Sequence, residues 1–99
     1  MGSTRKGRDI DTALRRKGFR QDVGGKHIQY ILQTTDGRDT DIMTMMSHGM
    51  MGSSLSAKLI GDMARQLRLT KKQFLELIDC TLDEGGYRAI LQSTNNEEE

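Results

Sequence analysis

Apolar positions in this chain fall first at helical spacing, then alternate, then return to helical spacing. Ile10, Ala13 and Leu14 form the first stripe. They predict a helix from Asp9, a favourable N-cap residue, to Lys17, with Gly18 as its C-terminal stop. The stretch from Phe19 to Val23 alternates, placing Phe19, Gln21 and Val23 on one side of a strand. Gly24-Gly25 is expected to supply the positive φ values of a two-residue hairpin turn. The returning strand, 26–34, sets Ile28, Tyr30 and Leu32 on one face and His27, Gln29, Ile31 and Gln33 on the other. Asp36-Gly37 marks a second hairpin. A third strand, about 38–46, leaves its sidedness open: Ile42 and Met46 favour one face, Met43 and Met45 the opposite.

The segment "SHGMMGSS" reads as a loop. A helix follows from about Ser56, with Leu59, Ile60, Met63, Ala64 and Leu67 as its apolar face. Thr70-Lys71-Lys72-Gln73 has the form of a capping box, so a separate helix starts there and buries Phe74, Leu75, Leu77 and Ile78. "DEGGYRAIL" predicts one more short helix, weakened by Gly85 and Gly86. The order is helix, three antiparallel strands, then helices, which is an α+β fold with the helices on one face of the sheet. Three segments are expected: a flexible basic N-terminus over 1–8, one folded domain over 9–92, and a disordered acidic tail over 93–99.

Composition narrows the picture. Only 34% of residues are apolar and 4% aromatic, so the core is small, and seven methionines help to fill it. No apolar run approaches the roughly 18 residues of a membrane span. The start, "MGSTRKGRD", is charged where a signal peptide would be apolar, so the cytoplasm is the expected location. One cysteine, Cys80, excludes an internal disulfide; with no basic neighbour in sequence, it is expected to be inert. Net charge is +1, but residues 1–26 hold eight Lys or Arg against three Asp, and the remainder is acidic. Arg8, Arg15 and Arg16 fall off the apolar stripe, and with Lys17, Arg20 and Lys26 they form a candidate footprint for a polyanion. The competing reading is a solvated helix face.

Several short motifs resemble the HicA (YcfA-like) toxins, small ribonucleases paired with a HicB antitoxin. "LRRKGF" is similar to the end of that family's first helix, and "GGKHI" stands for its Gly-Ser-x-His-apolar motif, with Gly25 in place of the serine. "TDGR" resembles its second hairpin, and "MSHG" stands where the family has Pro-x-His-Gly, here without the proline. "MARQLRLTKKQFLEL" resembles its helix junction. The likeness covers roughly residues 9–80. It implies a fold like the double-stranded-RNA-binding domain, α-β-β-β-α, with additional C-terminal helices. It also implies metal-independent cleavage of messenger RNA and a HicB-like antitoxin as partner. The family's catalytic histidine falls on His27.

That chemistry needs a base titrating near neutrality beside positive charge for the phosphate, and imidazole, with an ordinary pKa of about 6.5, fits. Lys26 alternates with His27 across the strand and is expected to reach backbone phosphate. His48 is assigned to RNA positioning or to a structural role. Asp39 and Asp41, two apart on a strand, have the spacing to hold Mg²⁺, but a solvated edge-strand face is the reading adopted. No metal and no cofactor is expected. The methionines from Met43 to Met51 fill core or offer an adaptable docking patch for the antitoxin. Two other classes compete with the nuclease: a double-stranded-RNA-type module that binds without cutting, and a protein-interaction unit.

Overall fold

A computed structural model describes residues 4–98 of the chain, with side chains as far as Ser93. In chain order the elements are β1 (Arg5–Lys6), α1 (Gly7–Arg16), β2 (Phe19–Val23), β3 (His27–Gln33) and β4 (Asp39–Ser47). A 3-10 turn (His48–Gly52), β5 (Ser54–Leu55), α2 (Ala57–Gln66), α3 (Lys71–Ile78) and α4 (Glu84–Glu98) follow. The fold is α+β: β2, β3 and β4 form an antiparallel sheet in that order, and the four helices pack on one of its faces.

The strands form where alternation predicted them. Ile28, Tyr30, Leu32 and Met46 enter the core and meet Ile10 and Leu14 of α1, Ile60 and Leu67 of α2, Phe74 and Leu77 of α3, and Tyr87 of α4. The sidedness of β4 is resolved: Thr44 and Met46 are buried, while Met45 is exposed. On the helix-free face Ile31 is nearly buried, because its cross-strand neighbours are the long side chains of Arg20 and Met43. The turns differ from expectation. Left-handed φ occurs at Gly18 (+95°), which ends α1, and at Gly37 (+89°) in the second hairpin, not at Gly24 or Gly25. The β2–β3 turn closes instead through the Gly24 N–H, which donates to the His27 carbonyl at 2.9 Å.

The N-terminus departs further. Within the expected flexible 1–8 segment, Arg5 and Lys6 pair with Leu55 and Ser54 as a two-strand ribbon, and α1 begins at Gly7 rather than Asp9. Residues 1–3 lie outside the described residues. Lys6 provides no side-chain cap; the first helical N–H, at Gly7, donates to the Ser53 carbonyl at 2.9 Å. Gly7 is there because nothing larger fits. A Cβ at this position would lie 2.0 Å from the Met50 carbonyl oxygen. The expected loop at residues 47–54 is thus a 3-10 turn and a short strand packed against the start of α1.

Asp11, on the sheet side of α1, is 5% exposed. Its Oδ1 accepts from the Tyr30 hydroxyl and the Gln21 amide, both at 2.5 Å, and its Oδ2 pairs with Arg15 at 2.8 Å. Burial, and then the hydrogen bond to Asp11, push the Tyr30 hydroxyl pKa up. These bonds fix α1 over β2 and β3.

Downstream, Ser56 caps α2 by accepting from the Leu59 N–H, and Thr70 and Gln73 make the predicted capping box of α3. Leu59 is exposed, contrary to its place in the predicted apolar face. The predicted short last helix is longer. α4 runs from Glu84 to Glu98 and includes most of the segment expected to be disordered, with Glu99 outside the described residues. Tertiary contacts override the weak glycines: Tyr87 stacks on Phe19 with centroids 5.8 Å apart, and its hydroxyl donates to the Leu67 carbonyl at 3.0 Å. Arg88 donates to the Gln33 carbonyl at 2.8 Å. Tyr87→Ala should therefore destabilise the protein by about 3–5 kcal/mol in urea denaturation, as for other buried aromatic truncations. A change under about 0.5 kcal/mol, as for a surface site, would show that α4 is an appendage.

Candidate functional site

The two histidines, far apart in the sequence, meet at one end of the sheet. β3 begins with His27, whose register partner on β4 is Ser47. His48 follows directly, and as the chain turns into the 3-10 segment its Nε2 lies 3.0 Å from the Gly24 carbonyl oxygen. With an oxygen acceptor there, Nε2 carries the proton in this contact. His48 therefore braces the turn that carries Lys26 and His27. His27 itself is exposed on the helix-free side, where Asp22, Gly24, Gly25, Lys26, His27 and Gln29 line an open depression of about 240 Å³.

Arg8 belongs to the same end. It sits in the first turn of α1, and that turn packs on the segment beginning at His48 through the close approach of Gly7 to Met50. Lys6, Arg8, Asp9, Met51, Ser53 and Ser54 line a second depression of about 320 Å³.

The other predicted contacts do not join them. Arg15 and Arg16 occupy the last turn of a ten-residue helix, which rises about 15 Å. Arg15 is committed to Asp11, whereas Arg16 is exposed and lines a depression with Arg5, Asp79 and Cys80. Arg20 makes a two-pronged pair with Asp39 (Nε–Oδ1 3.2 Å, Nη2–Oδ2 2.8 Å) at the far end of the sheet from His27. Lys17 is a correction. It is 7% exposed, and its Nζ donates to the Leu77 carbonyl at 2.9 Å, close to the end of α3. A cation there satisfies an orphan carbonyl and opposes the negative end of the helix, so Lys17 is not presented to a ligand.

The acidic pair is also accounted for. The Asp39 carboxyl is held below the usual range by its hydrogen bond from Arg20 and then by that from Gln33. Asp41 lies 3.9 Å from Arg68. Among the described residues no group of three His, Cys, Asp or Glu is arranged to hold a metal ion. Cys80 is exposed, as a surface thiol would be, but it does have a basic neighbour, because Lys17 Nζ approaches its Sγ at 3.6 Å. Of the methionines, Met46 is core, Met50 and Met51 pack partly against it, and Met45 is exposed.

No family model matches the chain, and neither a curated protein nor a solved structure matches it. The HicA likeness stands on the quoted motifs alone. Sequence reasoning missed the Asp11 cluster and the brace from His48; the one available signal for the brace was Ser47-His48-Gly49 directly after a strand. His48→Ala should raise amide exchange at Gly24 by about three- to tenfold, equivalent to one hydrogen bond of about 0.5–1.5 kcal/mol. Tyr30 and Leu32 should keep their protection. Unchanged exchange at Gly24 would mean that the turn holds itself.

Proposed function

We propose that the protein is an endoribonuclease of the HicA toxin type, cutting messenger RNA with His27 as general base. The observation that carries this reading is the exposed imidazole of His27 over an open depression, beside Lys26, on a turn braced by His48. A helix, three antiparallel strands and helices returning to the same sheet face also fit a double-stranded-RNA-binding type of fold.

In this reading neutral His27 takes the proton of the RNA 2′-hydroxyl, and the resulting oxygen attacks the adjacent phosphorus. The bond from phosphorus to the 5′-oxygen breaks, that oxygen takes a proton from water, His27 returns its own to solvent, and a 2′,3′-cyclic phosphate remains. Negative charge building on the phosphoryl oxygens is met by Lys26, with Arg8 at the same end of the molecule to hold a neighbouring phosphate. Asp39 is engaged by Arg20 and Gln33.

General base catalysis contributes about 10²–10⁴-fold. His27→Ala should lose at least that much cleavage and keep its fold and its RNA binding, because the side chain lies off the core. EDTA should not inhibit, and an oligonucleotide with a single 2′-deoxy sugar at the scissile position should bind and resist cutting. Normal cutting of that substrate would overturn the 2′-hydroxyl mechanism. Binding without any cleavage by the unaltered protein would favour the non-cutting RNA module.

The proposed partner is a HicB-like antitoxin that covers His27, an exposed group on a sheet face that no helix shields. Hydrogen exchange of the co-expressed pair should show new protection over 24–30. Protection confined to the segment around Met45 to Met51 would place the partner elsewhere.

A further inference from the structure

The acidic second half of the chain conceals a basic island. Between Ser56 and Gln73 there are five Lys or Arg (Lys58, Arg65, Arg68, Lys71 and Lys72) and one acid, Asp62. All five are exposed. They come from α2, the α2–α3 linker and the first turn of α3, and the fold brings Lys71 alongside the two on α2. Lys58 and Arg65, seven apart, share one stripe of α2. Between them on that helix, the stem of Lys71 lies across Gly61 from α3, with its Cδ 3.9 Å from where a Cβ would stand. Arg65 pairs with Asp62 at 2.5 Å, and Arg68 reaches Asp41 only at 3.9 Å. Lys58, Lys71 and Lys72 have no ion-pair partner among the described residues.

Folding does not favour part of this arrangement. Lys71 and Lys72 are the first two residues of α3, at the positive end of the helix dipole, and the first turn holds no acid to offset them. Arg68 takes a left-handed φ of +65° just after α2, where glycine is the unstrained choice. Lys71 and Lys72 are thus held against local preference, as expected when something outside the chain uses them, whereas Arg65 in the last turn of α2 is locally favoured.

We propose that this island is a second phosphate-binding surface for RNA, separate from the His27 depression and on the helical layer of the molecule. The inference rests on the RNA reading of the previous subsection. A single strand held at His27 and again here would bind through both surfaces, so its affinity would depend on phosphates that the cutting site never touches.

The test uses the full chain with His27→Ala, so that RNA survives, and a single-stranded RNA of about fifteen nucleotides, near the upper site size of single-strand binders. Binding is measured against salt, with and without Lys71→Glu and Lys72→Glu. Two lost phosphate contacts should flatten the log–log slope by about 1.4 and weaken binding roughly tenfold at physiological salt. The same two changes put acids at the positive end of α3, so the melting temperature should stay level or rise. Weaker RNA binding in a protein of equal or greater stability is the expected signature. If RNA binds and the slope is unchanged, the island is a solvated face and the inference fails. If the protein with both lysines intact binds no RNA, the RNA reading itself fails and takes this inference with it. Should the double Glu variant fold poorly, Lys71→Gln with Lys72→Gln removes the charge without reversing it and must flatten the slope in the same sense.

Discussion

One buried carboxylate decides how the first helix lies on the sheet. Removing an ionised group from water costs several kcal/mol unless donors replace the water, and Asp11 meets them from its own helix, from β2 and from β3. Arg15 travels with the helix, but Gln21 and Tyr30 reach Asp11 only when this side of α1 lies over β2 and β3. No buried side-chain nitrogen or oxygen among the described residues lacks a partner, so this polar joint is closed. The apolar stripe of α1 supplies attraction to the sheet, while the carboxylate supplies the angle and register that hydrophobic contact leaves loose.

Once α1 is fixed, the fate of its basic residues follows. Its first turn is pressed onto the 3-10 segment and carries Arg8 to the histidine end, whereas its last turn points Lys17 into the end of α3. A stretch that is net basic in sequence is therefore distributed by the fold into a structural cation (Lys17), a paired one (Arg15) and two exposed ones (Arg8 and Arg16). Linear charge density is a poor guide to a footprint when the helix carrying it is amphipathic and anchored.

Much of the fold was legible because its signals are local. The β2–β3 and β3–β4 hairpins, the side-chain alternation of β3 and the Thr70 capping box each depend on residues a few positions apart. The exposed placement of His27 was legible for the same reason, since a strand's period of two fixes its face. What escaped depends on distant partners. The β1–β5 ribbon joins residues some fifty apart, and two-residue strands leave no periodicity to read. Tyr87 fixes α4 by stacking on Phe19, which outweighs two glycines that locally argue against a helix. His48 finds its acceptor on a turn 24 residues away, a contact no motif encodes.

The 3-10 turn between β4 and β5 is held at both ends, by His48 on Gly24 and by Ser53 on the Gly7 N–H. It acts as a strut of fixed length between a helix start and a hairpin tip. With Met50 already against the backbone of residue 7, the strut has no slack there. A methyl group added at position 7 has nowhere to go but into the strut, whose opposite end is the support of His27. The geometry of the hairpin is thus set in part by the smallness of a residue that never touches it.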